Sequence, residues 1–330
     1  MHINLVIMSL VLAFVLSGCQ STQNNSKIIA GAFNASTQIQ KKFIDMHAPK
    51  NVLVTENIQY SEQPKLRFDL YQPENIAEIG DRPVVVWIHG GGWISGSKDH
   101  ARGYYKRLAE QGFNVIAVEY QFAPKEVYPQ QLLQIDQALT FINKNAGQYH
   151  INANEIYLAG DSAGANMASH YAALLTNPQF AEQSNLRPTI KTTQLKGLIL
   201  HCGIYDLESF VNTAQDEIKI LEWGINSLVQ AYTGDQKDNT AFLASISPRQ
   251  HLTANYPPVF ISGGNKDFLT KSQALPFVTS LKEHQVPVTE VFYPDSKEWL
   301  VHEYQFMMSK AASQETFEKT IQFLNTYSSQ

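Results

Sequence analysis

Cysteine is nearly absent: only Cys19 and Cys202 occur in 330 residues. The chain can form at most one disulfide, so it is not a disulfide-built scaffold. Excess charge is also missing. The formal net charge of −5 gives no electrostatic basis for nucleic-acid binding. No apolar run is long enough to cross a bilayer as a helix; the longest candidate, Leu5 to Leu16, is too short. Internal repeats and low-complexity tracts are absent as well. What remains is an ordinary globular composition, long enough for one large α/β domain or two small ones.

The stretch from Leu5 to Leu16 fits the apolar core of a secretory signal. It ends in Leu16-Ser17-Gly18-Cys19, which resembles the bacterial lipobox, where the cysteine becomes the lipidated first residue of the mature protein. No Lys or Arg precedes the apolar run, a departure from the usual signal that leaves an ordinary cleaved signal or an uncleaved anchor as alternatives. Residues 1–18 are thus expected to be a lipoprotein-type signal peptide. Residues 19–50 are expected to form a tether and a helical segment near Ser26–Met46, with the polar stretch Gln20–Lys27 as the tether itself. Export with a lipid anchor at Cys19, in an outer membrane where the host has one, is the location these residues imply. Cys202 follows the apolar run Leu198-Ile199-Leu200 and reads as a buried small hydrophobe.

From residue 51 the pattern is strand-rich. Val52–Tyr60 and Leu66–Tyr71 read as an antiparallel hairpin. Strands are then expected at Val84–His89, Asn114–Glu119, Glu155–Ala159, Leu195–Cys202, Pro258–Gly263 and Val288–Tyr293. They are rich in Val, Ile and Leu with little alternation, as befits parallel strands covered on both faces. Helices are expected near Arg102–Gln111, Gln130–Gln148, Ala163–Thr176, Ser272–His284 and Gln314–Tyr327. This alternation predicts an α/β fold with a mostly parallel central sheet and helices on both faces. Residues 206–256 interrupt the rhythm with an amphipathic helix around Glu217–Tyr232 and no strand. They read as a small helical cap over the active-site end, or as a cover for a sheet edge.

Two motifs carry chemistry. Gly160-Asp161-Ser162-Ala163-Gly164 lies between an expected strand and an expected helix, the setting of a nucleophile elbow. Glycines at the flanks permit a turn too tight for side chains, and the turn lifts the Ser162 hydroxyl above the sheet edge. His89-Gly90-Gly91-Gly92-Trp93 follows another strand. Consecutive glycines expose backbone N–H groups that can hold an oxyanion, and losing one such donor typically costs ~3–4 kcal/mol of barrier. A flexible loop or a phosphate cradle is the alternative, but the Lys-Ser/Thr of a phosphate loop does not follow.

A serine nucleophile needs a base, and the base needs an acid to orient it. Asp267 follows the expected strand Pro258–Gly263 in the loop Gly264-Asn265-Lys266-Asp267, and it is the expected acid. A capping role ahead of the next helix is the alternative. Asp295 and Glu298 are other acids, but they lie on the loop that should carry the base. His302 follows the last strand and precedes the last helix, which makes it the expected base. A structural surface histidine is its alternative reading.

In chain order, His89-Gly90-Gly91-Gly92-Trp93, Gly160-Asp161-Ser162-Ala163-Gly164, Gly264-Asn265-Lys266-Asp267 and His302 resemble the motifs of the hormone-sensitive-lipase-like branch of α/β-hydrolase esterases, which includes many bacterial carboxylesterases. The resemblance spans roughly Leu66 to Tyr327, with lesser echoes at Glu119-Tyr120-Gln121-Phe122-Ala123-Pro124, Tyr205-Asp206-Leu207 and Ser247-Pro248. It implies an α/β-hydrolase fold with a Ser162–His302–Asp267 triad. Gly91, Gly92 and Ala163 N–H groups would form the oxyanion hole, with His89 and Gly90 positioning the loop. It also implies a small-molecule ester substrate, no metal and no organic cofactor. Gln121 replaces the family's usual Arg, and Glu303-Tyr304 replaces the usual Gly-Phe after the histidine. An arylformamidase-like amidase, a polysaccharide acyl esterase and a catalytically silent binding module remain as alternatives. The oligomeric state is not legible.

Overall fold

The computed structural model describes residues 22–215 and 218–329. Cys19 and the expected signal peptide lie outside the described residues. Eight strands form one sheet in the order β1-β2-β4-β3-β5-β6-β7-β8. They are β1 (Val52–Gln59), β2 (Arg67–Pro73), β3 (Arg82–Ile88), β4 (Asn114–Val118), β5 (Ile151–Asp161), β6 (Leu195–His201), β7 (Val259–Gly263) and β8 (Val288–Phe292). The expected hairpin is present as β1 and β2. β2 also runs antiparallel to β4, and every other pairing is parallel. This is the mostly parallel α/β sheet that the strand composition predicts.

The lack of sequence alternation has a direct physical origin. Val84, Val86 and Ile88 enter one hydrophobic core, while Val85 and Trp87 enter the other. Both faces of β3 are therefore buried, so both parities of the strand are apolar. One face is covered by α4 (Gln130–Asn145) and α5 (Ala163–Thr176), through Leu132, Ile135, Leu139, Met167 and Tyr171. The other is covered by α3 (Arg102–Glu110) and the last helix, α11 (Ala311–Tyr327), through Tyr104, Tyr105, Leu108, Phe323 and Leu324. A short helix α2 (Ile76–Ile79) follows β2, and α6 (Pro178–Ser184) follows α5.

Several bounds differ from expectation. The first helix, α1, spans Thr22–Asp45, so most of the stretch expected to be an extended tether is helical, with Ser26 and Ile29 buried. The helix expected over Ser272–His284 begins as a π-helical turn, Thr270–Ala274, and continues as α10 (Leu275–Glu283). The last helix begins at Ala311, three residues ahead of the expected Gln314, because the Glu298 carboxylate accepts the Ala311 and Ala312 N–H groups.

Within residues 206–256 the described chain forms α7 (Leu207–Gln215), α8 (Lys219–Thr233) and α9 (Thr240–Ser245), with no strand. Helices α1 and α8 meet above the glycine loop. A Cβ on Gly92 would lie 2.7 Å from Leu228 Cδ2 and 3.3 Å from Phe33 Cε2. Tyr232 of α8 stacks on Trp93 at 4.5 Å. The insertion thus lies over the glycine loop.

Candidate active site

Strand β5 leads into Ser162, whose backbone has φ 53° and ψ −119°, and α5 begins at the next residue. This positive φ is strained for a serine, at about 1–3 kcal/mol. Its neighbours explain how the turn fits. A Cβ on Gly160 would stand 2.4 Å from the Gly164 carbonyl carbon, and one on Gly164 would stand 1.9 Å from the Ile88 carbonyl oxygen. No side chain fits at either position. The Ser162 N–H donates to the His201 carbonyl at 2.9 Å, tying the turn to the end of β6.

The glycine loop has left-handed backbone at Gly91 (φ 113°), Gly92 (φ 60°) and Trp93 (φ 62°). A Cβ on Gly91 would come within 2.2 Å of the Ser95 carbonyl oxygen, so glycine is required there. Among the described residues, no acceptor takes up the N–H groups of Gly91, Gly92 or Ala163. Donors left unpaired in this way suit a developing oxyanion.

His89 holds this loop from behind. Its Nδ1 donates to the Gly90 carbonyl at 2.7 Å, and its ring stacks on Tyr120 at 4.4 Å. The Tyr120 hydroxyl donates to the His89 carbonyl at 3.0 Å. Burial pushes the His89 imidazole down to about 4, so it is neutral at ordinary pH.

Asp161 positions the glycine loop, a role that the sequence reading did not give it. One carboxylate oxygen accepts the Gly90 N–H at 2.8 Å and the other accepts the Trp87 Nε1–H at 2.8 Å. The residue before Ser162 therefore fixes the first glycine of the glycine loop. Burial, aided by the Glu303 charge, pushes Asp161 up to about 6.

The structure brings His302 and Asp267 together. His302 Nδ1 donates to Asp267 Oδ2 at 2.8 Å, and Asp267 Oδ1 accepts the Leu269 N–H at 3.0 Å. Asp267 is buried, while the His302 side chain is 39% exposed and open to the site. Desolvation disfavours the imidazolium, but the Asp267 carboxylate, hydrogen-bonded to Nδ1, outweighs it and holds His302 above its ordinary value.

The His302 loop is clamped by the acid loop. Asn265 Nδ2 donates to the carbonyls of Ser296 and Glu298, at 3.0 and 3.1 Å. The Lys266 N–H donates to the Leu300 carbonyl at 2.9 Å. The two alternative acids are engaged elsewhere: Glu298 caps α11 and Asp295 is exposed.

The sheet register aligns these parts. Asp161 pairs with His201, and His201 with Ser262, so Ser162, Cys202 and Gly263 stand together one residue beyond that row. Cys202 is buried as expected, but it lies beside the dyad. Its thiol, an Asp267 oxygen and a His302 nitrogen all fall within 4.8 Å of one another. Burial pushes the thiol up to about 11, so it is neither a thiolate nor a nucleophile. A second donor cluster of the same compactness joins His100, Asp161 and Glu303, with His100 Nε2 3.6 Å from Glu303. It places the His302 loop beside the elbow.

The lesser motifs also converge. The Leu207 N–H donates to Ser247 Oγ at 2.8 Å, and the Arg249 N–H donates to the Tyr205 carbonyl at 3.0 Å. Gln121, in place of the expected arginine, exchanges hydrogen bonds with Gln134 at 2.8 and 3.3 Å rather than forming an ion pair.

The BD-FAE family pattern matches residues 68–279, well over half of the chain. The protein belongs to the BD-FAE family. The matched region of this BD-FAE protein contains the glycine loop, the elbow and Asp267; His302 lies just beyond it. The chain is 25% identical over 228 residues to Esterase LipC of Mycobacterium tuberculosis, covering 68% of this chain and 54% of that protein. It is 31% identical over 159 residues to a probable isoprenylcysteine alpha-carbonyl methylesterase of Oryza sativa, covering 48% of this chain and 37% of the relative. It spans about half the length of the curated relatives it matches. Among solved structures, Esterase B of Lactobacillus rhamnosis superimposes with a TM-score of 0.79 at 19% identity, covering 93% of this chain and 96% of that one. The shared architecture is that of the α/β-hydrolase esterases, the fold that the motifs implied.

Proposed function

We propose that this protein is a serine carboxylic-ester hydrolase acting on small or short-acyl esters through an acyl-enzyme. The observation that carries the reading is the His302–Asp267 hydrogen bond at 2.8 Å, on the same sheet edge as the strained Ser162. Ser162 Oγ attacks the ester carbonyl while His302 Nε2 takes its proton. Asp267 fixes the tautomer and stabilises the imidazolium. The Gly91, Gly92 and Ala163 N–H groups receive the oxyanion. His302 then protonates the leaving alcohol, and in the second half-reaction it takes a proton from water as that water attacks the acyl-enzyme.

The short-acyl preference is supported by Leu228 and Phe33, which pack directly against Gly92 and leave less space beside the glycine loop. Kinetics on p-nitrophenyl esters of increasing acyl length test it. The expected optimum lies at short chains, and an optimum at long chains would contradict it. Comparison with N-formyl arylamines and acetylated or feruloylated xylan separates an ester hydrolase of small substrates from an amidase or a polysaccharide acyl esterase. Absence of turnover and of labelling by a fluorophosphonate would indicate a silent binding module.

We also propose that the protein is exported and anchored through a lipid on Cys19. The apolar run Leu5–Leu16 and the sequence Leu16-Ser17-Gly18-Cys19 support this reading.

A further inference from the structure

We propose that α1 docks lengthwise on an anionic lipid surface through an apolar stripe that the fold leaves uncovered. Ile28, Ala32, Ala35, Ile39 and Phe43 recur at steps of three or four residues, and Met46 follows three residues on, just past the helix end, so they form one line along the helix. The line runs roughly 27 Å from Ile28 to Met46. Its second half is open: Ile39 is 47% exposed, Phe43 48% and Met46 52%. The line is separate from the buried side of the same helix, where Ser26, Ile29 and Ile44 face the protein. The protein has therefore already used one face of α1, and a second apolar line is left to solvent.

Two features select a bilayer as the occupant. The first is charge. Lys27, Lys41 and Lys42 lie within Thr22–Asp45, and no acidic residue precedes Asp45 at its end. The chain as a whole carries −5. A cationic helix on an acidic protein complements an anionic headgroup layer, and both Lys27 and Lys42 are exposed. The second is reach. Cys19 precedes Thr22 by three residues, a span of at most about 10 Å. A lipid on Cys19 would hold the start of α1 at the membrane surface. A single acyl-type signal is strengthened by an amphipathic helix with basic residues. This inference rests on the proposed anchor at Cys19.

The same helix carries Phe33, which together with Leu228 roofs the glycine loop. Docking would bring that roof within about one helix diameter of the lipid, ~10 Å. The active site would then face esters dissolved in, or arriving at, the bilayer surface.

The test uses the full chain as the cell makes it, reconstituted in vesicles of phosphatidylcholine alone or equimolar with phosphatidylglycerol. An environment-sensitive fluorophore is placed through Ile39→Cys, and through Ile79→Cys as an exposed control on α2. The unsubstituted chain, with Cys19 and the buried Cys202, reports background labelling. The expected result is a blue shift and quenching by brominated acyl chains at position 39, stronger with phosphatidylglycerol, and an aqueous signal at position 79. The double variant Ile39→Asp/Phe43→Asp, labelled through Met46→Cys, should show about tenfold less quenching than Met46→Cys alone. Its hydrolysis of soluble p-nitrophenyl butyrate should be unchanged, which shows that it folds. An aqueous signal at position 39 in vesicle-attached protein overturns the docking and leaves the anchor standing. Protein that fails to associate with either vesicle overturns both.

Discussion

Asp161 and Gly90 are joined by a 2.8 Å hydrogen bond from the glycine N–H to the carboxylate, across 71 residues of sequence. The bond links the turn that carries Ser162 to the glycine loop, so the two parts of the candidate site are positioned by one side chain. The other Asp161 oxygen is held by Trp87, itself fully buried in the sheet. An asparagine at this position keeps the size but offers one acceptor where two are used. Asp161→Asn should therefore lower kcat ~10–100-fold, about 1.4–2.7 kcal/mol of barrier, with little change in KM. Steady-state kinetics on one soluble ester decide it; a variant with wild-type kcat would show that the Gly90 tether is dispensable.

The base and its acid should fail as a unit. His302→Ala and Asp267→Asn are each expected to cost at least ~10³-fold in kcat. The double variant should lose far less than the product of the two, because the imidazole that Asp267 orients is already gone. Fully multiplicative losses would mean that the 2.8 Å bond has no part in turnover.

Activity should rise with pH. Catalysis through the proposed triad needs neutral His302, and the Asp267 carboxylate holds His302 above its ordinary value against desolvation. The acidic limb of kcat/KM should thus have its midpoint above the usual histidine value of about 6.5. Asp267→Asn removes a charge that favours the imidazolium, so the limb should move to lower pH in that variant. A limb that stays in place would assign the titration to another group.

Much of this site was legible because its parts have strict local requirements. Gly160 and Gly164 leave no room for a Cβ, and Gly91 needs both space and a left-handed φ, so the motifs record backbone geometry directly. Asp267 and His302 were legible from chain order at strand ends. Asp161 was not, because its partners are a backbone N–H and an indole on β3, set by the β3–β5 pairing. The position of Cys202 beside the dyad depends in the same way on how β6 and β7 align. The early start of α1 escaped notice because its first turn is polar, and only packing of Ser26 and Ile29 commits it to the fold.

The location carries its own prediction. The wild-type protein should partition into detergent and incorporate labelled palmitate, and Cys19→Ser should not incorporate it. The catalytic region of the variant should keep its ester hydrolysis once solubilised. A wild-type protein that is soluble and unlabelled would contradict anchoring and leave the esterase reading untouched.

The central claim is that Ser162 is the nucleophile of an ester hydrolase. The most direct measurement is mass spectrometry of the intact and digested protein after treatment with a fluorophosphonate, run beside Ser162→Ala. The account predicts one phosphonyl adduct, on the peptide containing Ser162, with loss of ester hydrolysis in step with labelling. It predicts no adduct and no turnover in the folded Ser162→Ala protein. Labelling at another residue, or near-wild-type turnover by Ser162→Ala, would contradict it.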